Sequence, residues 1–504
     1  MTYGKFLEIY KEFTNYFIFP TFAQARVYYY QWGNFPFFIL LNIFRLIFAC
    51  VQFFTWRLWG IKGHLDRMKS LENSEPSTDF LSLKSAQVLQ VIASCKPTPF
   101  DKVRPSFYLT FHSHFVEPGY VLADNVMLAE VSPEKVVFVE MRRPIDQYTV
   151  KNSVFLYITL VKEAVRLIKM PLKVFHQLAD RMRQTWGKNN DWKHIMFLFN
   201  SGRCGSTVVA RIVEEAGEEN FLVLSEPSVF MDFVWFKRQL SEDFFKQTLR
   251  STLILFLKPM CGKKRLFVKL PYFVGCIAEE FYAFWPQAQY VYLHRDPLRV
   301  VLAHERAFGA SPICKLLSLT VRFNLWPLAG KVIGFHRYEH VEAAVNKYLK
   351  PTMFEVCLIV WSDSYRRYLE QASCFPYAEM VYDHLLENPW EFCQKLLSLA
   401  DLPENRLKNA LKALDKDSQE ESVLSRNTLQ KIPMTSYSLG LQQRCDQFCD
   451  ELGMPRLDWD QWKKQMIKKS GKSAMVKSAN DNFVLESKLM YKPVPLQCLV
   501  SDYS

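Results

Sequence analysis

Seven residues, Ser201-Gly202-Arg203-Cys204-Gly205-Ser206-Thr207, place a guanidinium, three hydroxyls and two glycines just after the apolar run 195–199. Val209, Ile212, Val213 and Ala216 then recur at helical spacing, and Gly217 suits the helix end. Gly205 to Thr207 therefore fall at a helix N-terminus, where unpaired N–H groups and the positive dipole end favour an anion. Arg203 adds a full charge and Ser206 and Thr207 add hydroxyl donors, so a phosphate fits. The same residues also read as an ordinary strand-to-helix turn with Ser or Thr as N-cap.

Two other phosphate loops are excluded by position. The nucleoside triphosphatase loop needs G-x-x-x-x-G-K-[ST], but Asn200 stands at its first glycine and Ser206 at its lysine. The cysteine phosphatase pattern needs an arginine six places after the nucleophile, and six places after Cys204 is Ala210.

Further chemistry-bearing residues close the other apolar runs. Short strands are predicted at 195–199, 221–224, 266–269, 290–293 and 379–382, alternating with helices. Such near-continuous apolar runs suit a parallel sheet covered on both faces, hence an α/β fold. Ligands sit beyond the carboxyl ends of such strands. There the chain carries Ser225-Glu226-Pro227, Lys269, His294-Arg295-Asp296-Pro297 and Tyr382-Asp383.

The ordered set R-C-G-S-T, S-E-P, R-D-P and "VYDHLLENPWEFCQKLLSLADLP" resembles the PAPS-dependent sulfotransferase family, closer to its carbohydrate-type members, over residues 190 to 435. The resemblance implies a three-layer, P-loop sulfotransferase-like α/β domain with a central parallel sheet. It also implies transfer of a sulfuryl group from PAPS to a hydroxyl or amine acceptor, with a glycan, lipid or other small molecule as partner and neither a metal nor nucleic acid involved. On this reading Arg203, Cys204, Gly205, Ser206 and Thr207 hold the phosphosulfate, and Arg203 also stabilises the leaving oxygen. Arg295 takes the 3′-phosphate and Glu226 is the catalytic base, with His294 and His304 as runners-up. Glu226 has a structural alternative, pairing with Arg203 or Lys269 to hold the loop, and Arg295 has one in Asp296.

Two departures from the family pattern stand out. Ala303 occupies the place of a serine that donates to the 3′-phosphate, a loss of about 1.5–3 kcal/mol. Ser425 and Arg426 are the expected replacement donors. Val208 stands where some members carry an adenine-stacking tryptophan. The alternative function is a membrane-associated protein of the same fold that binds PAPS or its product without turnover.

These residues need a scaffold, and the chain of 504 residues is long enough for one large domain with appendages. Apolar residues at 49% and charged residues at 23% exclude both a disordered chain and a polytopic membrane protein. The formal charge of +12 points to an anionic partner. The 12 cysteines form no CxxC pair or zinc spacing, so no metal site is expected.

The expected organisation is an N-terminal segment (1–34), an apolar helix (35–59), a linker (60–96), an accessory strand and helix region (97–190), the α/β domain (191–460) and a basic tail (461–504). In the accessory region, strands are expected across 105–141 and a long helix from Val154, broken at Pro171. The apolar helix is long enough to cross a bilayer, although Arg45 near its middle costs about 2.5–3.5 kcal/mol. Asn42, Arg45 and Gln52 share one stripe of it. A single anchor is preferred, then an interfacial helix, then a helix packed on its own domain. An anchored sulfotransferase suggests a single-pass Golgi protein; the absence of any Asn-x-Ser/Thr sequon suggests the cytoplasmic membrane surface instead.

Overall fold

The computed structural model describes residues 34–74, 79–96, 101–189, 194–217, 220–258, 261–263, 265–309, 339–350, 352–376, 380–415, 417–419, 424–430, 432, 434–460 and 462. The expected N-terminal segment, all but its last residue, and the basic tail, except Trp462, lie outside these residues.

A long helix α1 (Asn34–Leu58) and a shorter α2 (Ile61–Ser74) lead into an antiparallel sheet. Its strands are β1 (Ala86–Ser94), β2 (Tyr108–Val116), β3 (Val126–Val131), β4 (Lys135–Met141) and β5 (Ala164–Pro171), in the order β2-β1-β5-β4-β3. Helix α3 (Leu156–Lys162) precedes β5 and α4 (Leu172–Asn189) follows it.

Two expectations are corrected here. The stretch 60–96 is not a bare linker, because it contains α2 and β1. The long helix expected from Val154 is instead a two-turn helix and the central strand β5, which pairs with β1 on one side and β4 on the other. The run "AVRLIKM" suits either state by local pattern, and pairing on both edges decides for the strand.

A second sheet of five parallel strands follows: β6 (His194–Asn200), β7 (Phe221–Ser225), β8 (Arg265–Lys269), β9 (Gln289–His294) and β10 (Met380–Val381), in the order β10-β9-β6-β8-β7. Side chains alternate between two cores as the pleat requires. Ile195, Phe197 and Phe199 of β6 enter one core, while Met196 and Leu198 enter the other. The first core also takes in Val88, Phe138 and Ile168 of the antiparallel sheet, Phe175 of α4, and Leu253 of α7 (Glu242–Phe256), which lies beyond α5 (Ser206–Gly217) and α6 (Phe230–Gln239). One apolar interior thus joins the two sheets. The second core holds α5, α8 (Pro297–Gly309) and α9 (Met353–Glu370).

The chain leaves β6 toward β8 and β7, then returns to build β9 and β10 on the other side. The crevice beyond the ends of β6 and β9 is therefore the topological switch point.

Buried Lys258, just past α7, staples the two halves. Its ammonium donates to the carbonyls of Val121 (2.6 Å), Ala123 (2.7 Å) and Val126 (2.8 Å). Replacing it with Met leaves three carbonyls without that donor. Lys258→Met is expected to lower unfolding free energy by about 1.5–3 kcal/mol, measured as a shift in denaturant midpoint.

Candidate functional site

The loop from β6 to α5 is tied to both neighbouring strands. Ser201 N–H donates to the Leu293 carbonyl (3.1 Å), and the Asn200 amide donates to the Leu270 carbonyl (2.7 Å) while accepting from Gly202 N–H (3.0 Å). Gly202 (φ 74°), Arg203 (φ 48°) and Gly205 (φ 84°) are left-handed, which curls the main chain into a concave turn. A Cβ on Gly205 would fall inside the Tyr382 ring, and one on Gly202 would lie 2.8 Å from His304 Nε2.

Arg203 accepts a strained backbone to deliver its side chain here. Its guanidinium donates to Gln419 Oε1 (3.2 Å), while its Nε is buried without a hydrogen-bond partner. Burial, reinforced by Arg295, pulls its pKa down to about 10, so it remains a cation. Cys204 is wholly buried and its thiol donates to the Leu293 carbonyl (3.3 Å). Its side chain therefore belongs to the core, and only its main chain faces the loop. Ser206 and Thr207 open α5, ahead of its first intrahelical N–H bonds.

Lys269, 1% exposed at the end of β8, is the hub. Its ammonium donates to Glu226 Oε1 (2.5 Å) and Thr207 Oγ1 (3.2 Å), and Thr207 Oγ1 also accepts from Gln419 Nε2 (3.1 Å). Glu226 is left-handed (φ 55°), and its N–H donates to the Lys269 carbonyl (2.7 Å). Of its two expected pairings, the structure forms the one with Lys269.

Arg295, past the end of β9, lies 3.6 Å from Asp383 Oδ1 and packs its guanidinium 5.1 Å from the centre of the Tyr382 ring. Asp383 also accepts from Arg299 (2.8 Å) and from Asp296 N–H (2.8 Å). The carboxylate beside Arg295 is thus Asp383, with Asp296 turned to cap its own helix through Arg299 N–H (2.9 Å).

A cavity of about 790 Å³ opens onto the loop, and Arg203, Gly205, Ser206, Thr207, Glu226 and Arg295 all line it. Ala303 and Val208 line it as well, so the two departures in sequence face the same space. Ser425 is buried outside this lining, although its neighbour Leu424 is part of it. Arg426 begins a short helix (Arg426–Leu429), and its side chain lies outside the described residues. His294 is off the cavity wall, between the rings of Tyr292 and Tyr365.

Lys269, Gln419 and Tyr382 are lining residues that sequence reasoning gave no role in binding. Lys269 left a signal, a lysine closing an apolar strand. Gln419 left none, because it reaches the loop from more than 200 positions away.

No protein-family model matches the chain, and no curated relative is detected. Similar solved structures include the sulfotransferase domain from the curacin biosynthetic pathway (15% identity, 52% of this chain, 98% of that chain, TM-score 0.28). Others are a sulfotransferase from Mycobacterium avium (13%, 57%, 84%, 0.28) and one from Alicyclobacillus acidocaldarius (10%, 51%, 96%, 0.24). At these TM-scores the likeness carries no argument, and the functional reading stands on the geometry of the cavity.

His304 lines the cavity, and burial, with Arg203 nearby, pushes its pKa down to about 3. The unfolded chain then binds a proton that the folded chain refuses between about pH 6.5 and 3, so stability falls as pH drops through that window. His304→Gln is expected to flatten this part of the loss while leaving stability near pH 8 little changed, as read by thermal unfolding across pH.

Proposed function

We propose that the protein is a sulfotransferase that moves a sulfuryl group from PAPS to an acceptor hydroxyl. The observation that carries this reading is an anion cradle: three left-handed residues ahead of a helix N-terminus, with a buried, unpartnered Arg203 Nε beside it. PAPS would supply an electrophilic sulfuryl group on a phosphate leaving group. The residues present fit that demand for anion binding at two places.

Arg203 and the main-chain N–H groups of Gly205 to Thr207 bind the phosphosulfate end and stabilise negative charge on the leaving oxygen. Arg295, steadied by Asp383, holds the 3′-phosphate. Tyr272, on the cavity wall, is the ring assigned to the adenine in place of the family's tryptophan. Glu226 Oε2, the oxygen not bonded by Lys269, takes the proton of the acceptor hydroxyl. Asp101, Phe155 and Tyr157, from the loop before β2 and from the start of α3, also line the cavity and would form part of the acceptor wall.

A second reading, binding without turnover, is favoured by one observation. Ala303 lines the cavity where a hydroxyl donor to the 3′-phosphate belongs.

Adenosine 3′,5′-bisphosphate at 100 times its Kd is expected to stabilise the protein by about 2.7 kcal/mol in thermal unfolding. Arg203→Ala and Arg295→Ala should each lose most of that shift. Glu226→Gln should keep it and lower turnover by about 10²–10⁴-fold, measured by transfer of labelled sulfate to a panel of hydroxyl acceptors. Full activity in Glu226→Gln would remove it as the base. A shift with ATP and magnesium but none with the bisphosphate would overturn the assignment.

A further inference from the structure

Helix α1 is long and apolar enough to cross a membrane, over Pro36–Leu58. We propose that it does not cross, and that it lies along the surface of an anionic membrane with its outer face in the hydrocarbon of one leaflet.

The side chains of α1 that are at least partly covered are Phe38, Leu41, Asn42, Arg45, Phe48, Gln52, Thr55 and Trp56, a stripe at steps of three and four along one side. That stripe meets the edge strand of the antiparallel sheet. Phe38 packs edge-on against Phe107 (5.8 Å), Gln52 donates to the Thr110 carbonyl (2.6 Å), and Trp56 meets the His112 ring (6.3 Å). The contacts run from residue 38 to residue 56, about 27 Å of helix at 1.5 Å per residue.

A helix clamped over that length cannot be surrounded by lipid. Turned across a bilayer of about 30 Å, it would draw β2 into the hydrocarbon, including its open edge and its exposed Ser113 and His114. Laid flat, it needs no such movement. Its outward positions include Phe37, Leu40, Ile43, Phe44, Ile47 and Phe54, all exposed, with no charged residue among the outward side chains until Arg57.

The occupant follows from what borders this face. Trp59, 74% exposed, stands at its C-terminal end, where an indole suits the boundary between headgroup and acyl chain. Exposed Arg57 just precedes it, exposed Arg67 and Lys69 lie on the next helix, α2, and the whole chain carries +12, which complements anionic lipid headgroups.

Two measurements test this. The purified full chain should float with phosphatidylcholine vesicles containing 30% phosphatidylserine. Ile43→Glu/Ile47→Glu should weaken that binding by more than about tenfold, with an unchanged unfolding midpoint because both side chains face outward. In sealed microsomes carrying the wild-type chain with a tag at each end, both tags should be digested together or protected together. Protection of only one end would show a spanning helix and overturn the proposal, as would a soluble dimer that ignores vesicles.

Discussion

The site depends on one buried ion pair. Lys269 is taken out of water at the end of β8, and an ammonium so placed needs a counter-charge with good geometry. The parallel register supplies it: Ser225 of β7 stands opposite Lys269, so the next residue, Glu226, can fold back over it. It does so only by adopting a left-handed backbone, a strain of about 1–3 kcal/mol that its two hydrogen bonds to Lys269 offset. The same ammonium reaches Thr207, which fixes the start of α5 relative to both strands. A loop, a helix N-terminus and a carboxylate are thereby set by one residue.

The remaining charges are arranged less symmetrically. Arg295 has Asp383 near it and Arg299 shares the same carboxylate, whereas Arg203 meets a neutral amide from Gln419. Arg295 in turn lowers the proton affinity of Arg203. Two guanidiniums on one cavity wall repel each other, and an anion between them would relieve that repulsion. His304 is kept neutral by burial and by this positive field, so it adds a polar ring without a third charge.

Much of this was legible in the sequence because it is local. The five parallel strands declare themselves as apolar runs, and the chemistry sits one or two residues past their ends. Glycines at 202 and 205 are explained by contacts with His304 and Tyr382, yet their spacing alone already marked the turn. Less legible was whatever tertiary pairing decides. Residues 164–171 have no pattern that separates strand from helix, and only β1 and β4 beside them settle the matter. Asp383 was visible as a residue beyond a strand, but its hold on Arg295 depends on β10 lying beside β9. Gln419 was invisible because a polar loop residue leaves no periodic trace.

The antiparallel region is more than a cover for the parallel sheet. Ser225 Oγ donates to the Val154 carbonyl (2.7 Å), the residue before Phe155, and the Phe155 ring lies 5.2 Å from the Lys269 ammonium. Ser228 Oγ binds the Ala129 carbonyl (3.1 Å) and Val150 N–H binds Glu214 of α5 (2.7 Å), which adds two further ties between the halves. Because the apolar core is continuous across these ties, a change of packing in the antiparallel sheet shifts the wall beside Glu226 directly. The loop from β6 to α5 presents main chain to the cavity at Gly202 and Gly205, where close neighbours leave little freedom. Another part of the cavity wall is built from Asp101, Phe155 and Tyr157 of the antiparallel region, and there its shape is set by side chains rather than by main chain.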